Sequence, residues 1–127
     1  MKKKIINTSN APSPIGPYNQ GVMINKTLYI SGQIPLNPET MELIEGGVKR
    51  ETKQVMKNLE AVLNAAEMSF ENVVKASIFI SDMENFGKVN EIYASYFDHR
   101  TAPARETIAV KTLPKSVRIE ISMIAVK

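Results

Sequence analysis

The run VKRETKQVMKNLEAVLNAAEMSFENVVKASIFI, from Val48 to Ile80, changes its hydrophobic period from that of a helix to that of a strand. Val48, Val55, Met56, Leu59, Val62, Leu63 and Ala66 fall on one side of a helical repeat with Lys and Glu between them, which predicts an amphipathic helix. Gly46-Gly47 supplies flexibility before it, and Glu67-Met68-Ser69 continues no apolar face, so the helix ends there. From Val73 the pattern alternates, with Val74, Ala76, Ile78 and Ile80 on one face and Val73, Lys75, Ser77 and Phe79 on the other, as a half-buried strand requires.

Downstream, Ser81-Asp82 precedes a second helical stripe of Phe86, Val89, Ile92, Tyr93, Tyr96 and Phe97, and Asp98 to Pro103 reads as a loop. Arg105 to Lys111 predicts a short strand on which Arg105, Thr107 and Ala109 share a face. Val117 to Val126 predicts a last strand, with Val117, Ile119, Ile121, Met123 and Ala125 opposed to Arg118, Glu120, Ser122, Ile124 and Val126. Upstream, Gly21 to Ile24 and Thr27 to Ser31 flank Asn25-Lys26 as a hairpin, and Pro12, Pro14 and Pro17 bracket an irregular, exposed loop. The cluster Lys2-Lys3-Lys4 reads as a solvated tail.

Strands alternating with two helices imply an α/β layer architecture, both helices covering one face of a sheet of mixed strand direction. The other face would carry Glu120, Ser122, Ile124, Val126, Lys75 and Phe79, too apolar for bulk water and too polar for a dry core. Subunit association answers both halves, with polar groups lining clefts between chains.

The length of 127 residues, 43% hydrophobic and 23% charged, suits one domain spanning 1–127, without repeats or a linker. No apolar run approaches the roughly 20 residues of a membrane-spanning helix, and no signal peptide is supported. The lack of cysteine excludes disulfides and thiol nucleophiles and permits a reducing compartment, so a cytoplasmic location is expected. A net charge of +3 from scattered basic residues, with no Trp, gives no stacking platform for nucleic acid. One His without a ligand cluster leaves no expectation of a metal site.

Three separated groups of residues carry more: Ala11-Pro12-Ser13-Pro14-Ile15-Gly16-Pro17-Tyr18-Asn19-Gln20; Ser31-Gly32-Gln33-Ile34-Pro35; and Pro103-Ala104-Arg105 followed by Leu113-Pro114-Lys115 and Ile119-Glu120-Ile121. In this order and spacing they closely resemble the reactive intermediate deaminase family, RidA or YjgF, over essentially the whole chain. The resemblance implies a chorismate-mutase-like mixed sheet and a homotrimer with sheets facing inward and active-site clefts between subunits. It also implies hydrolysis of enamine or imine intermediates, such as 2-aminoacrylate, 2-aminocrotonate and their imine tautomers, to 2-oxo acids and ammonia, without a cofactor. Locally the last two strands around Thr112 to Ser116 read as a hairpin, whereas the family topology inserts the final strand elsewhere in the sheet.

By this resemblance Arg105 grips the substrate carboxylate through two parallel hydrogen bonds; a surface salt bridge is its ordinary alternative. Glu120 stands mid-strand among apolar residues, where a carboxylate is costly unless paired, hydrated or functional. It is the candidate to orient or deprotonate water, against a bland role as partner of Arg118 or a lysine. Thr107 occupies the position where many relatives have Cys, which favours its backbone amide as the contribution to substrate binding. Tyr18 either closes the cleft or packs between subunits. Ser31 and Gly32 end a strand where a main-chain group can meet the ligand, or where there is a bulge without function. The Asn90 amide either reaches the cleft or is a buried structural group, and His99 reads as an exposed loop residue. Some members of the family have been described as ribonucleases or translation inhibitors, which leaves RNA cleavage, or non-catalytic binding of small acids or client proteins, as alternatives.

Overall fold

The computed structural model describes residues 2–127, and Met1 lies outside the described residues. Its strands are β1 (Lys3–Ile6), β2 (Gly21–Ile24), β3 (Thr27–Gln33), β4 (Val73–Ile80), β5 (Ala104–Ala109) and β6 (Ile119–Val126); its helices are α1 (Val48–Ala65) and α2 (Phe86–Ala94). The strands form one six-stranded mixed sheet in the order β1-β2-β3-β6-β4-β5, antiparallel except where β4 meets β5. The final strand is therefore central, between β3 and β4, and the local hairpin reading of β5 and β6 fails.

The apolar stripe of α1 buries Val55, Met56, Leu59, Val62 and Leu63 against Leu28 and Ile30 of β3 and Ile119, Ile121 and Met123 of β6. Gly47 at the start of α1 has φ 101°, a left-handed value that an L side chain adopts only under strain, so the glycine pair is conformational as well as flexible. The chain leaves α1 through Glu67 at φ 58°. α2 packs against α1, so both helices lie on one face. α2 ends at Ala94; Tyr96 and Phe97 follow in a turn yet still pack on the core, which is why the periodicity runs past the helix.

Two local readings are corrected. Lys3–Ile6 is an edge strand paired with β2, not a solvated tail; its exposed lysines are the charges that keep an open sheet edge from pairing further. In β4 a register shift between Val73 and Lys75 sets Val73 opposite Ala125 and turns Val74 outward, at 48% exposure, although alternation had placed it on the core face. The proline-rich loop is irregular and largely exposed from Ser13 to Tyr18, as expected, but its start at Ala11 and Pro12 is buried. Ala11 is 1% exposed, and the buried Gln20 side chain donates to the carbonyls of Thr8, Ala11 and Pro12 at 2.9–3.2 Å while accepting from the Thr8 N–H at 2.8 Å.

The face opposite the helices bears Tyr29, Lys75, Ser77, Phe79, Glu106, Ile108, Glu120, Ser122, Ile124 and Val126, of which Tyr29 and Ile108 are close to half exposed. Glu106 there is bound by Lys75 at 2.7 Å and by the Ser77 hydroxyl, which hold its carboxyl below the ordinary range. Among the described residues no helix is long and apolar enough to cross a membrane.

Candidate active site

Strand register decides where the two principal candidates point. Arg105 and Thr107 lie opposite Ala76 and Ile78, whose side chains face the helices, whereas Glu120 lies opposite Phe79 on the open face. Within one chain, therefore, Arg105 and Glu120 stand on opposite faces of the sheet, and each lines a cleft of its own.

The Glu120 cleft, of about 330 Å³, is walled by the proline-rich loop, the end of β3 and Pro114. Tyr18, Ser31 and Gly32 all line it. Arg118, the obvious rival partner for Glu120, is instead committed to the buried Glu51 of α1 at 2.6 Å. Glu120 makes no ion pair among the described residues, and burial pushes its carboxyl above the ordinary 4.5. Gly32 sits at a register shift of β3 between Ile30 and Gln33. A Cβ there would lie 2.5 Å from Glu120 Oε2 and 2.8 Å from its Cδ, so the missing side chain is the space the carboxylate occupies. The Ser31 hydroxyl donates to the Asn19 carbonyl at 2.6 Å and fastens the Tyr18 loop to β3. Tyr18 itself is 47% exposed, its hydroxyl accepting from the Ile15 N–H at 3.4 Å.

The Arg105 cleft, of about 270 Å³, is lined by Asn90, Tyr93, Ala94, Phe97, His99 and Ala102. Arg105 Nη1 donates to Asn90 Oδ1 at 2.7 Å, so Asn90 meets the arginine directly. Phe86 and Tyr93, which the sequence reading left in the core stripe of α2, also flank the guanidinium. His99 is exposed, as expected of a loop histidine, but borders this cleft. Thr107 Oγ1 is buried without a partner. Its backbone is better placed: the Val110 N–H donates to Ile80 O, and two-residue alternation turns the N–H of Thr107 toward the unpaired edge of β5.

A further cavity, about 620 Å³ beside α1, is bordered by Thr8, Asn10, Asn37, Gln54, Lys57 and Asn64 and holds none of the candidate site residues above. The buried Asn58 amide donates from its floor to Ile34 O and Leu36 O at 3.2 and 3.0 Å, pinning one wall of the Glu120 cleft to α1. Asn58 carries no motif signal in the sequence, and Gln20 stands only at the end of the first quoted motif; the burial of both amides is set by tertiary packing.

The profile described as Endoribonuclease L-PSP matches residues 8–127. A RutC family protein of Synechocystis is 50% identical over 99% of this chain and 98% of its own. The 2-iminobutanoate/2-iminopropanoate deaminase of Mus musculus is 48% identical over 98% of this chain and 92% of its own. The crystal structure of Escherichia coli TdcF with bound serine superposes with a TM-score of 0.91 at 40% identity, covering 98% of both chains. With the six-stranded sheet, its central last strand and matches of this extent, the chain belongs to the Endoribonuclease L-PSP family, the RidA/YjgF family.

Proposed function

We propose that this protein hydrolyses small 2-imino acids, and the enamines in equilibrium with them, to 2-oxo acids and ammonia, in sites shared between copies of the chain in a homotrimer. The observation that carries this is a guanidinium and a carboxylate that each lack an ionic partner among the described residues and lie on opposite faces of the sheet. A second copy docking on the open edge of β5 would bring one chain's Arg105 to another's Glu120. The apolar positions Tyr29, Ile108 and Val126 on the open face, each 37–49% exposed, suit such burial. The names of the deaminase relatives, and the serine bound in a structural neighbour, support a small amino-acid-like ligand.

In this reading Arg105 binds the substrate carboxylate through its planar donors, and the Thr107 N–H on the free edge supplies a further donor. Tyr18, Ser31 and Gly32 shape the opposite wall. Water adds to the imine carbon, Glu120 taking a proton from it, and the C=N bond becomes a C–N single bond with the electron pair on nitrogen. Glu120 returns that proton to nitrogen; the hydroxyl proton of the resulting carbinolamine then passes by way of Glu120 to the same nitrogen as the C–N bond breaks, so that ammonia leaves with the C–N electron pair and the C=O bond forms. A carboxyl whose hold on its proton is strengthened by burial is suited to both transfers. Because an imine carbon is already electrophilic, positioning supplies most of what the reaction needs, and no cofactor enters the scheme.

The test is a coupled assay in which a pyridoxal-phosphate dehydratase generates the enamine and 2-oxo acid formation is timed. The protein should accelerate it, and Arg105→Ala should abolish most of the gain. An unchanged rate with wild-type protein, or RNA degradation that is lost in the same variant, would favour the reaction named in the family's description over this one.

A further inference from the structure

We infer that Phe86 and Tyr93 are positioning residues for Arg105: α2 holds the guanidinium between two aromatic rings, so that its charge is fixed in place without being neutralised. This rests on the carboxylate-binding role proposed for Arg105 and adds how that group is presented.

Phe86, Asn90 and Tyr93 are spaced four and three residues apart on α2 and so share one stripe of the helix. Seven residues of helix rise by about 10.5 Å. The guanidinium carbon lies over both rings, 5.6 Å from the Phe86 ring centre and 5.1 Å from that of Tyr93, both within the reach of a cation–π attraction. Asn90, midway along the stripe, accepts from Nη1. No carboxylate pairs with Arg105 among the described residues.

The choice of partners matters chemically. A carboxylate holding Arg105 would occupy the in-plane donors and cancel the charge that an incoming anion must meet. Ring faces attract the cation while leaving its N–H groups free, and one neutral amide oxygen takes a single donor at one end. The edge formed by Nε and Nη2 remains as a parallel pair of donors for a planar anion.

The wall is stiff on the Tyr93 side. That ring is 5% exposed and packs on Phe97 with centroids 4.8 Å apart, and Phe97 in turn meets Phe70 edge-on at 5.5 Å. The Tyr93 hydroxyl is buried without a partner, and burial pushes it up to about 12, so it stays neutral and the ring alone serves the arginine.

The experiment compares Phe86→Leu, Tyr93→Leu and Tyr93→Phe in the full chain. Each leucine variant should raise KM for the imine about three- to tenfold with kcat changed less, since a held ground-state contact is lost, while Tyr93→Phe should behave as wild type. The NMR signal of the Arg105 Nε–H should show a ring-current shift that both leucine variants reduce and Tyr93→Phe keeps, a signature that general loosening of the fold does not produce. Wild-type KM and an unmoved Arg105 signal in Phe86→Leu would overturn the inference. Phe86 is only partly buried, so this variant decides the matter even where Tyr93→Leu fails to fold. If Arg105→Ala itself leaves KM unchanged, the carboxylate role fails. If Arg105→Ala raises KM and the leucine variants do not, only the aromatic positioning fails.

Discussion

Replacing Gly32 with alanine adds one methyl group in contact with the group proposed to handle water. The new Cβ would stand 2.5 Å from Glu120 Oε2, 2.8 Å from Cδ and 3.0 Å from Cγ, closer than carbon atoms tolerate. Gly32 does not have a positive φ, so the backbone itself accepts alanine. The obstacle is the far end of a flexible side chain, which can turn away at a cost of about 0.5–1.5 kcal/mol for an unfavourable rotamer. Loss of backbone freedom in the unfolded chain returns about 0.4–1 kcal/mol, so global stability should change by less than about 1 kcal/mol. Activity should respond very differently, because displacing a water-positioning group by about 1 Å can cost on the order of a hundredfold. Denaturant melts and the coupled assay separate the two effects. Gly32→Ala should fall between about tenfold and a hundredfold in kcat/KM, and the Gly32→Ala/Glu120→Gln double variant should be no worse than Glu120→Gln alone, since both act through one carboxylate. Full activity in Gly32→Ala, or losses that multiply in the double variant, would refute the reasoning.

Three further outcomes are expected. Glu120→Gln should melt no lower than wild type at pH 8: a carboxyl raised by burial binds its proton more tightly folded than unfolded, so its ionisation weakens the fold as pH rises from 4.5, and the two melting curves should converge in acid. Arg105→Lys keeps the charge but not the fork, and the loss of charge-assisted hydrogen bonds worth about 1.5–3 kcal/mol should appear as a fall of about tenfold or more in kcat/KM. Asn58→Ala strands the Leu36 carbonyl in a buried site and frees one wall of the Glu120 cleft, so a loss of about 1–3 kcal/mol in a urea melt is expected.

The parts of the fold legible in the sequence are those whose periodicity is set by burial against a single layer. The α1 stripe from Val48, the Asn25-Lys26 hairpin, both limits of β4 and the end of β6 at Val126 are of this kind, whereas β6 starts at Ile119, two residues later than the alternation suggests. What was not legible depends on distant pairings. A register shift of one residue turned Val74 outward, and nothing near it in the chain marks the place. β1 was missed because an edge strand paired on one side needs no second apolar face, and Lys3 and Lys4 disguise it. The site divides in the same way. Alternation put Arg105 and Thr107 on a common face, but only the pairing of β4 with both β5 and β6 reveals that Glu120 lies on the other. The contact between Gly32 and Glu120 joins residues far apart in sequence. The Phe86–Asn90–Tyr93 stripe was visible as helical spacing, yet its second use as a seat for Arg105 appears only once β5 is in place.

Sharing of each site between two chains can be measured by mixing. Arg105→Ala and Glu120→Gln proteins, each strongly impaired by itself, are unfolded together in equal amounts, refolded, and checked by native mass spectrometry for mixed assemblies. Sites that draw Arg105 from one copy and Glu120 from its neighbour should recover about a quarter of wild-type turnover under random mixing. Mixed assemblies with no recovered activity would contradict a shared site and require both groups to act from the same chain, on whose opposite faces they lie.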